Sequence, residues 1–504
     1  MKSISKTLII SMTGGLVLNA CQQKKEVVSK RPEKPNLLFI WTDQQTDNTM
    51  AVYGNNRFKV PHMNALADQS IVFRNSYVAQ PVSTPSRGTA LTGLYPHRHG
   101  GTQNNRMMLD QAKCLPELLN DPSYATAYFG KWHLGRENTP QHGFQEFSST
   151  ETYPVSYPEG EVVPLSGYQL FLMKHGFPED QVRRMDRRDA SNLEYDLTKP
   201  KYLELAAIDF LERHKDQPFV LYVNYLEPHT PFNGPFNHLH NIDELELPPA
   251  QDCTLTDNDP VRYHLRVKDR SREKLESDYR NYAGLCHSVD LSLGAILKKL
   301  DDLGLSENTI VVFTSDHGEM MGAHGLGEKS VMYEPAVRVP LFMRIPWMNN
   351  HKQEIITNRV TNVDLMPTLL ELMGKDPKSY TELQGKSLVP LMEGSSIPDD
   401  DGYIFLMWNP NPDEGIPNPD VSVGNYTKEE LTSYYKDASF RTVIAPDGWK
   451  LSVSNCDRNQ LFDLRSDPYE CNNLYDKPGH EAKIKHLAGK IKEWQERIGD
   501  HVKL

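Results

Sequence analysis

Cysteine is scarce in this chain, with six residues among 504. Cys21 falls in the N-terminal segment, and the other five are odd in number and far apart in the sequence. That pattern gives no indication of a disulfide framework or a cysteine-ligated zinc site. A single disulfide between Cys456 and Cys471 fits the separation expected across a hairpin.

Basic residues are outnumbered as well. The chain has 55 lysines and arginines against 67 acidic residues, a formal net charge of −12, and no basic tract. This balance argues against a nucleic-acid partner. A polyanionic substrate would need a locally positive site, because the chain as a whole repels it. Internal repeats and heptads are missing too, which argues against a solenoid or a coiled coil.

Long hydrophobic runs are absent except near the N-terminus. Lys2 and Lys6 precede an apolar run over residues 8–18, which is too short to span a membrane as a helix. The run ends in Leu-Asn-Ala-Cys, which resembles a bacterial lipobox with Cys21 as the lipidated residue. We interpret residues 1–21 as a lipoprotein signal peptide and residues 22–35 as a tether.

The alternative is a plain secretory signal with an incidental cysteine. In either case we expect an exported protein. The lipoprotein interpretation places it in the periplasm or at the outer-membrane or cell surface, with a lipid anchor as its only contact with the membrane.

Two apolar runs end in metal-ligating side chains. One begins at Asn36 and precedes Asp43 and Gln44, and a second precedes Asp316 and His317. Such runs predict buried parallel strands. Ligands of doubly wound sheets bind beyond the carboxyl ends of strands. Either acid alone suits an ordinary turn, but the two runs together predict a metal site.

Helices and apolar strands alternate through most of the chain, which predicts an α/β domain with a mainly parallel central sheet flanked by helices. A helix is expected over residues 279–303 and a strand over 218–225. Short strands and a final amphipathic helix after residue 398 predict a smaller α+β subdomain. We place the two domains at 36–398 and 399–504. The polar residues 151–200 and 230–275 are interpreted as insertions around the mouth of the site.

Three further segments carry candidate functional residues. Pro85 predicts the first turn of a helix capped by Ser83 or Thr84. The N-terminus of such a helix favours an anion, and Arg87, one turn later, could contact the same anion. Lys131 and His133 would lie on one side of an extended segment. The prolines on either side of His229 restrict the loop that carries it.

The stretch from Ser83 to Gly93 resembles the signature of the formylglycine-dependent sulfatases, [C/S]-x-P-S-R-x-x-x-L-T-G, with every fixed position filled. Further motifs follow in that family's order along nearly the whole mature chain. They are Asp43, G-K-W-H-L-G (130–135), P-H-x-P (228–231), S-D-H-G (315–318), Lys329, R-V-P-L (338–341), V-D-L-M-P-T-L (363–369) and L-F-D-L-R-S-D-P-Y-E-C-N-N-L (461–474).

This resemblance implies an alkaline-phosphatase-like fold and a sulfatase activity. The family's first signature residue, here Ser83, is converted to an aldehyde, Cα-formylglycine, whose hydrate attacks sulfur. A serine at this position resembles the branch of the family whose members are matured by an anaerobic radical enzyme. A cysteine replaced by mutagenesis would leave the same sequence.

The resemblance also implies roles for individual residues. One divalent cation would be held by Asp43, Gln44, Ser83, Asp316 and His317. Lys131 and Lys329 would bind the sulfate oxygens, and Arg87 would anchor the hydrated aldehyde. His229 would be the acid that protonates the leaving alcohol, and His133 would be the base that helps to expel sulfate.

Two positions depart from the commonest pattern of that family. Gln44 stands where many members have an aspartate, and His317 stands where many have an asparagine. An imidazole ligand suits Mn²⁺ or Zn²⁺ better than Ca²⁺. We expect Ca²⁺, because the rest of the set is rich in oxygen, with Mn²⁺ as the alternative.

Three functions are compatible with these motifs. The first is an exported sulfatase acting on the end of a sulfated carbohydrate, with an anaerobic sulfatase-maturing enzyme as its partner. The second is a phosphonate or phosphate diester hydrolase of the same superfamily. The third is a non-catalytic protein that binds sulfated glycans, which would apply if Ser83 stays unmodified.

Overall fold

The computed structural model describes residues 30–152, 160–248, 250–267, 271–398, 400–417 and 422–504. The predicted signal peptide with Cys21 and most of the predicted tether lie outside the described residues. Within these ranges, none of the helices is long and apolar enough to cross a membrane.

Strands and helices alternate through the first four fifths of the chain. The strands are β1 (Asn36–Thr42), β2 (Ile71–Tyr77), β3 (Ala125–Gly130), β4 (Glu146–Ser148), β5 (Phe219–Asn224), β6 (Thr309–Ser315), β7 (Arg338–Val339), β8 (Leu341–Arg344), β9 (Glu354–Thr361), β10 (Ile404–Trp408), β11 (Phe440–Ile444), β12 (Trp449–Ser454) and β13 (Gln460–Asp463). The helices are α1 (Pro61–Ala67), α2 (Ser83–Thr92), α3 (Pro96–His99), α4 (Leu115–Leu119), α5 (Gly167–Lys174), α6 (Glu179–Arg184), α7 (Arg187–Ser191), α8 (Lys199–Arg213), α9 (Val261–His264), α10 (Arg272–Asp302), α11 (Glu334–Val337), α12 (Pro346–Asn349), α13 (Leu365–Leu372), α14 (Val389–Met392), α15 (Lys428–Asp437) and α16 (Glu481–Ile498).

The central sheet is mainly parallel, as predicted. Its strands lie in the order β4-β3-β5-β1-β6-β8-β2-β7, with β9 also paired to β2. The run from β4 to β6 is parallel, whereas β8 is antiparallel to both β6 and β2. The two strands predicted to end in metal ligands, β1 and β6, are therefore direct neighbours in the middle of the sheet.

Both faces of this sheet are covered by helices. Leu38 and Ile40 of β1 enter a core with α8 and α10, while Leu37 and Phe39 enter a second core with α4 and α13. All four side chains are buried. This double coverage explains why β1 reads as one continuous apolar run rather than an alternating one.

The C-terminal part forms the predicted smaller subdomain. Strands β10 to β13 make an antiparallel sheet in chain order, and α16 packs its apolar face on it. The rings of Trp494 and Phe405 stack with centroids 5.1 Å apart. The division at residues 398 and 399 stays a prediction.

Several boundaries differ from the expectations. Helix α10 begins at Arg272, seven residues before the expected start, because the Ser271 side chain accepts a hydrogen bond from the Lys274 amide and caps it. Strand β10 was not predicted. The polar segment 151–200 contains α5 to α7, which are too short for a clear helical period.

The capping prediction for α2 was wrong. Val82 is the N-cap residue of α2, with no side-chain cap, and Ser83 is already inside the helix. The Ser83 side chain is therefore directed at the neighbouring charged groups, as described below.

The disulfide prediction was also wrong. Cys471 pairs with Cys253, 218 residues away and with a Cα–Cα distance of 5.2 Å, and Cys456 is free and exposed. The segment containing Cys253 folds over the C-terminal sheet, where Gln460 Nε2 donates to Asp259 Oδ1 at 2.9 Å. Sequence spacing carries no information about such a contact.

Candidate active site

Strands β1 and β6 bring three metal-ligating side chains together. Thr42 and Ser315, the last residues of these parallel strands, are in register, so Asp43 and Asp316 follow at the same edge of the sheet. His317 Nε2 lies 3.7 Å from Asp43 Oδ1 and 3.6 Å from an Asp316 carboxylate oxygen. All three side chains are buried.

This trio fits a divalent cation. Its ligand atoms all lie within 4.8 Å of one another. Atoms bound at about 2.0–2.6 Å to one ion lie roughly 3–4 Å apart, which matches the two distances above. Asp43 Oδ1 is buried and accepts no hydrogen bond from the described residues, so this oxygen is open to an ion.

The charge on Asp43 is stabilised by its neighbours. Burial alone would raise the pKa of this carboxyl, but the charges of Lys131 and Arg87 hold the pKa well below its usual value. Burial lowers the pKa of His317 from its usual range, so the imidazole is neutral, as a metal ligand must be.

The side chain of Gln44 faces other partners than the two carboxylates, whereas its backbone contacts Asp316. Its φ of 69° is left-handed, its backbone N–H donates to Asp316 Oδ1 at 3.1 Å, and its side-chain Nε2 donates to Glu319. Its Oε1 accepts a hydrogen bond from Lys329 Nζ at 2.5 Å. Direct ligation by Gln44 stays a prediction.

Ser83 lies at the start of α2, beside the trio. Its Oγ lies 3.1 Å from His317 Nε2, 3.3 Å from Lys131 Nζ and 3.4 Å from Asp43 Oδ2. The side chain is 1 % exposed. A helix N-terminus favours negative charge, so the backbone and the ammonium both support an anion at this Oγ.

Arg87, one turn later in α2, bridges the carboxylates. Its Nε donates to Asp316 Oδ2 at 2.9 Å, a terminal nitrogen donates to Asp43 Oδ2 at 3.2 Å, and another donates to the Lys131 carbonyl at 2.9 Å. The anions that Arg87 contacts here are the protein's own carboxylates. Its contact with a hydrated aldehyde stays a prediction.

Lys131 and His133 do not share an extended segment, contrary to the expectation. Strand β3 ends at Gly130, and His133 has a left-handed φ of 59°. Lys131 Nζ donates to Asp43 Oδ2 at 2.5 Å, whereas His133 Nε2 lies 3.2 Å from Asn105 Oδ1. The turn therefore sends the two side chains to different partners.

Burial lowers the pKa values of the Lys131 and His133 side chains. Burial lowers the pKa of Lys131 to about 8, opposed by the attraction of Asp43. Burial, together with repulsion from Lys131 and Arg87, keeps the pKa of His133 well below its usual value.

His229 and Lys329 form a pair across the site. Lys329 Nζ lies 2.8 Å from His229 Nε2, and His229 Nδ1 lies 2.8 Å from the Thr230 carbonyl oxygen. An ammonium can only donate, so Nε2 accepts and Nδ1–H donates. Burial and the Lys329 charge keep the pKa of His229 well below its usual value, so the imidazole is neutral in the free enzyme.

Comparison with known proteins identifies the family. The family model described as Sulfatase matches residues 35–375, well over half of the chain. The chain belongs to the sulfatase family. It is a sulfuric ester hydrolase of the type I, alkaline-phosphatase-like superfamily. A second model, N-sulphoglucosamine sulphohydrolase, C-terminal, matches residues 322–497 of this sulfatase.

Two curated relatives of this sulfatase match nearly its full length. An ulvan-active sulfatase of Formosa agariphila is 28 % identical, covering 98 % of this chain and 87 % of the relative. An N-acetylglucosamine-6-O-sulfatase of Bacteroides thetaiotaomicron is 27 % identical, covering 99 % of this chain and 92 % of the relative.

Solved structures share the fold of this sulfatase. A phosphonate monoester hydrolase of Agrobacterium radiobacter has a TM-score of 0.73 at 21 % identity, over 92 % of this chain and 96 % of the other. A protein solved with its substrate D-glucosamine-2-N,6-O-disulfate has a TM-score of 0.72 at 23 % identity, over 93 % and 99 %. At such identities the likeness concerns the fold.

Three residues of this sulfatase's site were missed in the sequence. Glu319 accepts from Gln44 and has a pKa raised by burial. Glu137 accepts from the backbone amides of Trp132 and His133, and burial raises its pKa to about 7. Both follow a predicted site residue within four positions, which is a usable signal. No signal in the sequence pointed to Asn105, because only the fold brings its side chain into contact with His133.

Proposed function

We propose that this sulfatase removes a sulfate ester from the end of a carbohydrate chain, using a formylglycine made from Ser83 and one divalent cation. The observation that carries the proposal is the surrounding of Ser83 Oγ, with Lys131 Nζ at 3.3 Å and Asp43 Oδ2 at 3.4 Å. A carbohydrate substrate is supported by the activities for which the two curated relatives are named.

The formylglycine hydrate would supply a nucleophilic hydroxyl and a second hydroxyl that lets sulfate leave without external attack. Lys131 and Lys329 are the ammonium groups that would hold the sulfate oxygens, where negative charge develops. Arg87 keeps the two carboxylates in place and would anchor the hydrate. His229, neutral in the free enzyme, would receive a proton from Lys329 Nζ, 2.8 Å from its Nε2, and pass it to the leaving oxygen. His133 would take the proton of the second hydroxyl.

Asp43, Asp316 and His317 would hold the cation, with Gln44 and the modified Ser83 completing its ligands. The cation would stabilise charge on the sulfuryl oxygens and favour ionisation of the hydrate. We favour Ca²⁺ because carboxylate and amide oxygens predominate. The imidazole of His317 supports Mn²⁺ as the alternative.

The decisive experiment is the mass of the peptide containing Ser83, from protein produced with and without an anaerobic serine-type maturing enzyme. Conversion removes two hydrogens from Ser83, and only converted protein should release sulfate from 4-nitrophenyl sulfate. Ser83→Ala, produced in the same way, is the control. Equal sulfate release from unconverted protein would contradict the proposal.

A phosphonate or phosphate diester hydrolase is the second candidate. The Gln44 and His317 pair supports it, because similar pairs occur in phosphonate monoesterase-like as well as choline-sulfatase-like relatives, whereas the commonest sulfatase pattern has an aspartate and an asparagine at these positions. The ratio of kcat/KM for 4-nitrophenyl sulfate and 4-nitrophenyl phenylphosphonate decides between them. We expect the sulfate to be favoured, and a preference for the phosphonate would establish the second candidate.

A protein that binds sulfated glycans without turnover is the third possibility. It requires Ser83 to remain serine in the native host, so the peptide mass from that host tests it directly. An unmodified Ser83 together with retained binding of sulfated sugars would favour it over catalysis.

We also propose export as a lipoprotein anchored through Cys21, at the periplasmic or outer face of a membrane. Incorporation of tritiated palmitate into the wild-type protein, but not into the Cys21→Ser variant, would support the anchor. Export of an unlabelled wild-type protein would indicate a plain secretory signal instead.

A further inference from the structure

A polar pocket of about 500 Å³ opens beside the catalytic side chains. Its lining includes Val82, which directly precedes Ser83, and Asn105, whose side chain contacts His133. Lys329 forms another part of the wall. The volume falls within the range of small-molecule sites, about 300–1,000 Å³. Lys329 lies 2.8 Å from Nε2 of His229, the residue assigned to the leaving oxygen, and this contact supports placing the group attached to the sulfate in this pocket.

The pocket is built from both domains. Residues 103–106 form one side, and residues 409–414, which follow β10, form the other. A terminal nitrogen of Arg106 donates to Asp413 at 2.8 Å across the two sides. Asn409 Nδ2 donates to Gln80 Oε1 at 2.9 Å, so the C-terminal subdomain completes the wall.

Side-chain amides make up six of the fifteen residues that line this pocket. They come from Gln80, Gln103, Asn104, Asn105, Asn409 and Asn411. An amide donates and accepts hydrogen bonds without carrying charge, as a sugar hydroxyl does. The buried Oε1 of Gln103 accepts no hydrogen bond from any residue in the described ranges, which leaves an acceptor for a ligand hydroxyl.

Arg266 is the most enclosed charged group of the pocket. Its side chain is 5 % exposed, and its guanidinium lies 3.6 Å from Glu414 and 3.8 Å from Glu328. One terminal nitrogen donates to Tyr435 Oη at 3.0 Å. Its buried Nε has no acceptor among the described residues. The guanidinium thus has donors to offer, with its charge offset by two carboxylates.

Apart from Lys329, which we assign to the sulfate, the side chains of the pocket wall carry a net negative charge. Arg106 and Arg266 face the carboxylates of Glu328, Asp413 and Glu414, two positive charges against three negative ones. A second anionic group on the sugar would enter a pocket that repels it. Uncharged hydroxyl or acetamido groups would meet amides and the donors of Arg266.

We infer that this pocket binds the sugar that carries the scissile sulfate and selects sugars with no further anionic group. The inference rests on the proposed function and adds to it the charge class of the substrate. Arg266 donates to an uncharged sugar oxygen, and the three carboxylates of the wall reject a second sulfate or a carboxylate.

The test compares sulfated sugars in pairs that differ by one anionic group. N-Acetylglucosamine 6-sulfate is paired with glucosamine 2-N,6-O-disulfate, and galactose 6-sulfate with galactose 2,6-disulfate. For the pair that is turned over, we expect kcat/KM to be at least tenfold higher for the monosulfated sugar. A disulfated sugar that reacts as well would overturn the inference.

4-Nitrophenyl sulfate separates this inference from the proposed function, because its leaving group carries no hydroxyls. If the mature enzyme hydrolyses it but cleaves no sugar of either pair, the pocket is not a sugar site and the inference is wrong. If even this ester is not hydrolysed, the proposed function itself fails.

Two variants report on the charge of the wall. Glu414→Gln and Asp413→Asn each remove one negative charge and should narrow the preference for the monosulfated sugar about three- to tenfold, as expected for one charge near a protein surface. Asp413 is largely exposed, so its variant keeps the test open if the other fails to fold. Glu393→Gln, exposed and outside the pocket, should leave the preference unchanged. An unchanged preference in both pocket variants would overturn the inference.

Discussion

At the scale of single residues, the immediate surroundings of Ser83 escape the acidity of the whole chain. The formal net charge is −12, yet around Ser83 the charges of Arg87 and Lys131 balance those of Asp43 and Asp316. A bound divalent cation would make this local charge positive. The positive potential that a sulfated substrate requires would thus be built from a few buried groups and this cation.

The pH dependence of the reaction should report on Lys131. Because burial lowers the pKa of Lys131 to about 8, the ammonium is lost as pH rises through that value. We expect kcat/KM to fall above about pH 8. In Lys131→Arg, the guanidinium stays charged, so whatever activity remains should decline only at a pH more than one unit higher. Identical profiles would show that another group titrates.

Cation binding should depend on His317. A ligand present at 100 times its Kd stabilises the folded state by about 2.7 kcal/mol. We expect Ca²⁺ or Mn²⁺ to raise the Tm of chelator-treated wild-type protein, and to raise it much less in His317→Ala. His486→Ala, on the exposed face of α16, is the control. An equal rise in all three proteins would place the cation elsewhere.

At the scale of elements, helix α2 is held tightly against its surroundings. A Cβ added at Gly88 would lie 2.3–2.8 Å from the ring of His99. The Thr89 side chain also lies 3.3 Å from His99 Nε2. The position of Ser83 at the start of this helix therefore depends on a close approach that only glycine permits.

Gly88→Ala should therefore lower both stability and activity. We expect overpacking to lower the free energy of unfolding by about 1–3 kcal/mol. We also expect kcat to fall, because Ser83 and Arg87 move with the helix. Gly489→Ala in α16, where nothing lies within 4 Å of the new Cβ, should stabilise by about 0.5–1 kcal/mol. Chemical denaturation measures both changes. A stabilised Gly88→Ala would contradict this account of the packing.

Elements with a strong period or a long apolar run were predictable, and weak ones were not. Strands β1 and β5 lie within one residue of their predicted bounds and β6 ends directly before Asp316 as predicted, because burial on both faces makes most of their positions apolar. Helices α5 to α7 are only five to eight residues long, so no helical period emerged. The start of α10 was missed because its first turns lie beyond the apolar stripe and are defined by a cap.

At the scale of the whole molecule, the domains are joined by buried contacts. Lys450 of β12 donates to Glu334 at 2.9 Å and forms an ion pair with Glu470 at 2.7 Å. The disulfide between Cys253 and Cys471 lies next to Glu470 in the chain. An insertion of the catalytic domain is thus covalently tied to the C-terminal subdomain.

Removing this disulfide should cost stability. A crosslink that closes a loop of more than 200 residues contributes about 2–5 kcal/mol. We expect Cys253→Ser to lower the Tm and to expose Cys471 to thiol reagents in the native state. Cys456→Ser removes a cysteine that is already free and should leave the Tm within error. A Cys253→Ser protein as stable as the wild type would contradict the crosslink's role.

The sequence by itself determined the class of fold and indicated that two buried strands end in side chains able to bind a metal. Those features are local, because apolar runs, caps and motif spacings act over a few neighbouring residues. Only the tertiary structure decided that Gln44 faces Lys329 and Glu319, that Cys253 pairs with Cys471, and that residues 103–106 and 409–414 share one pocket. Each of these contacts joins segments more than 200 residues apart, where packing rather than local propensity sets the partner.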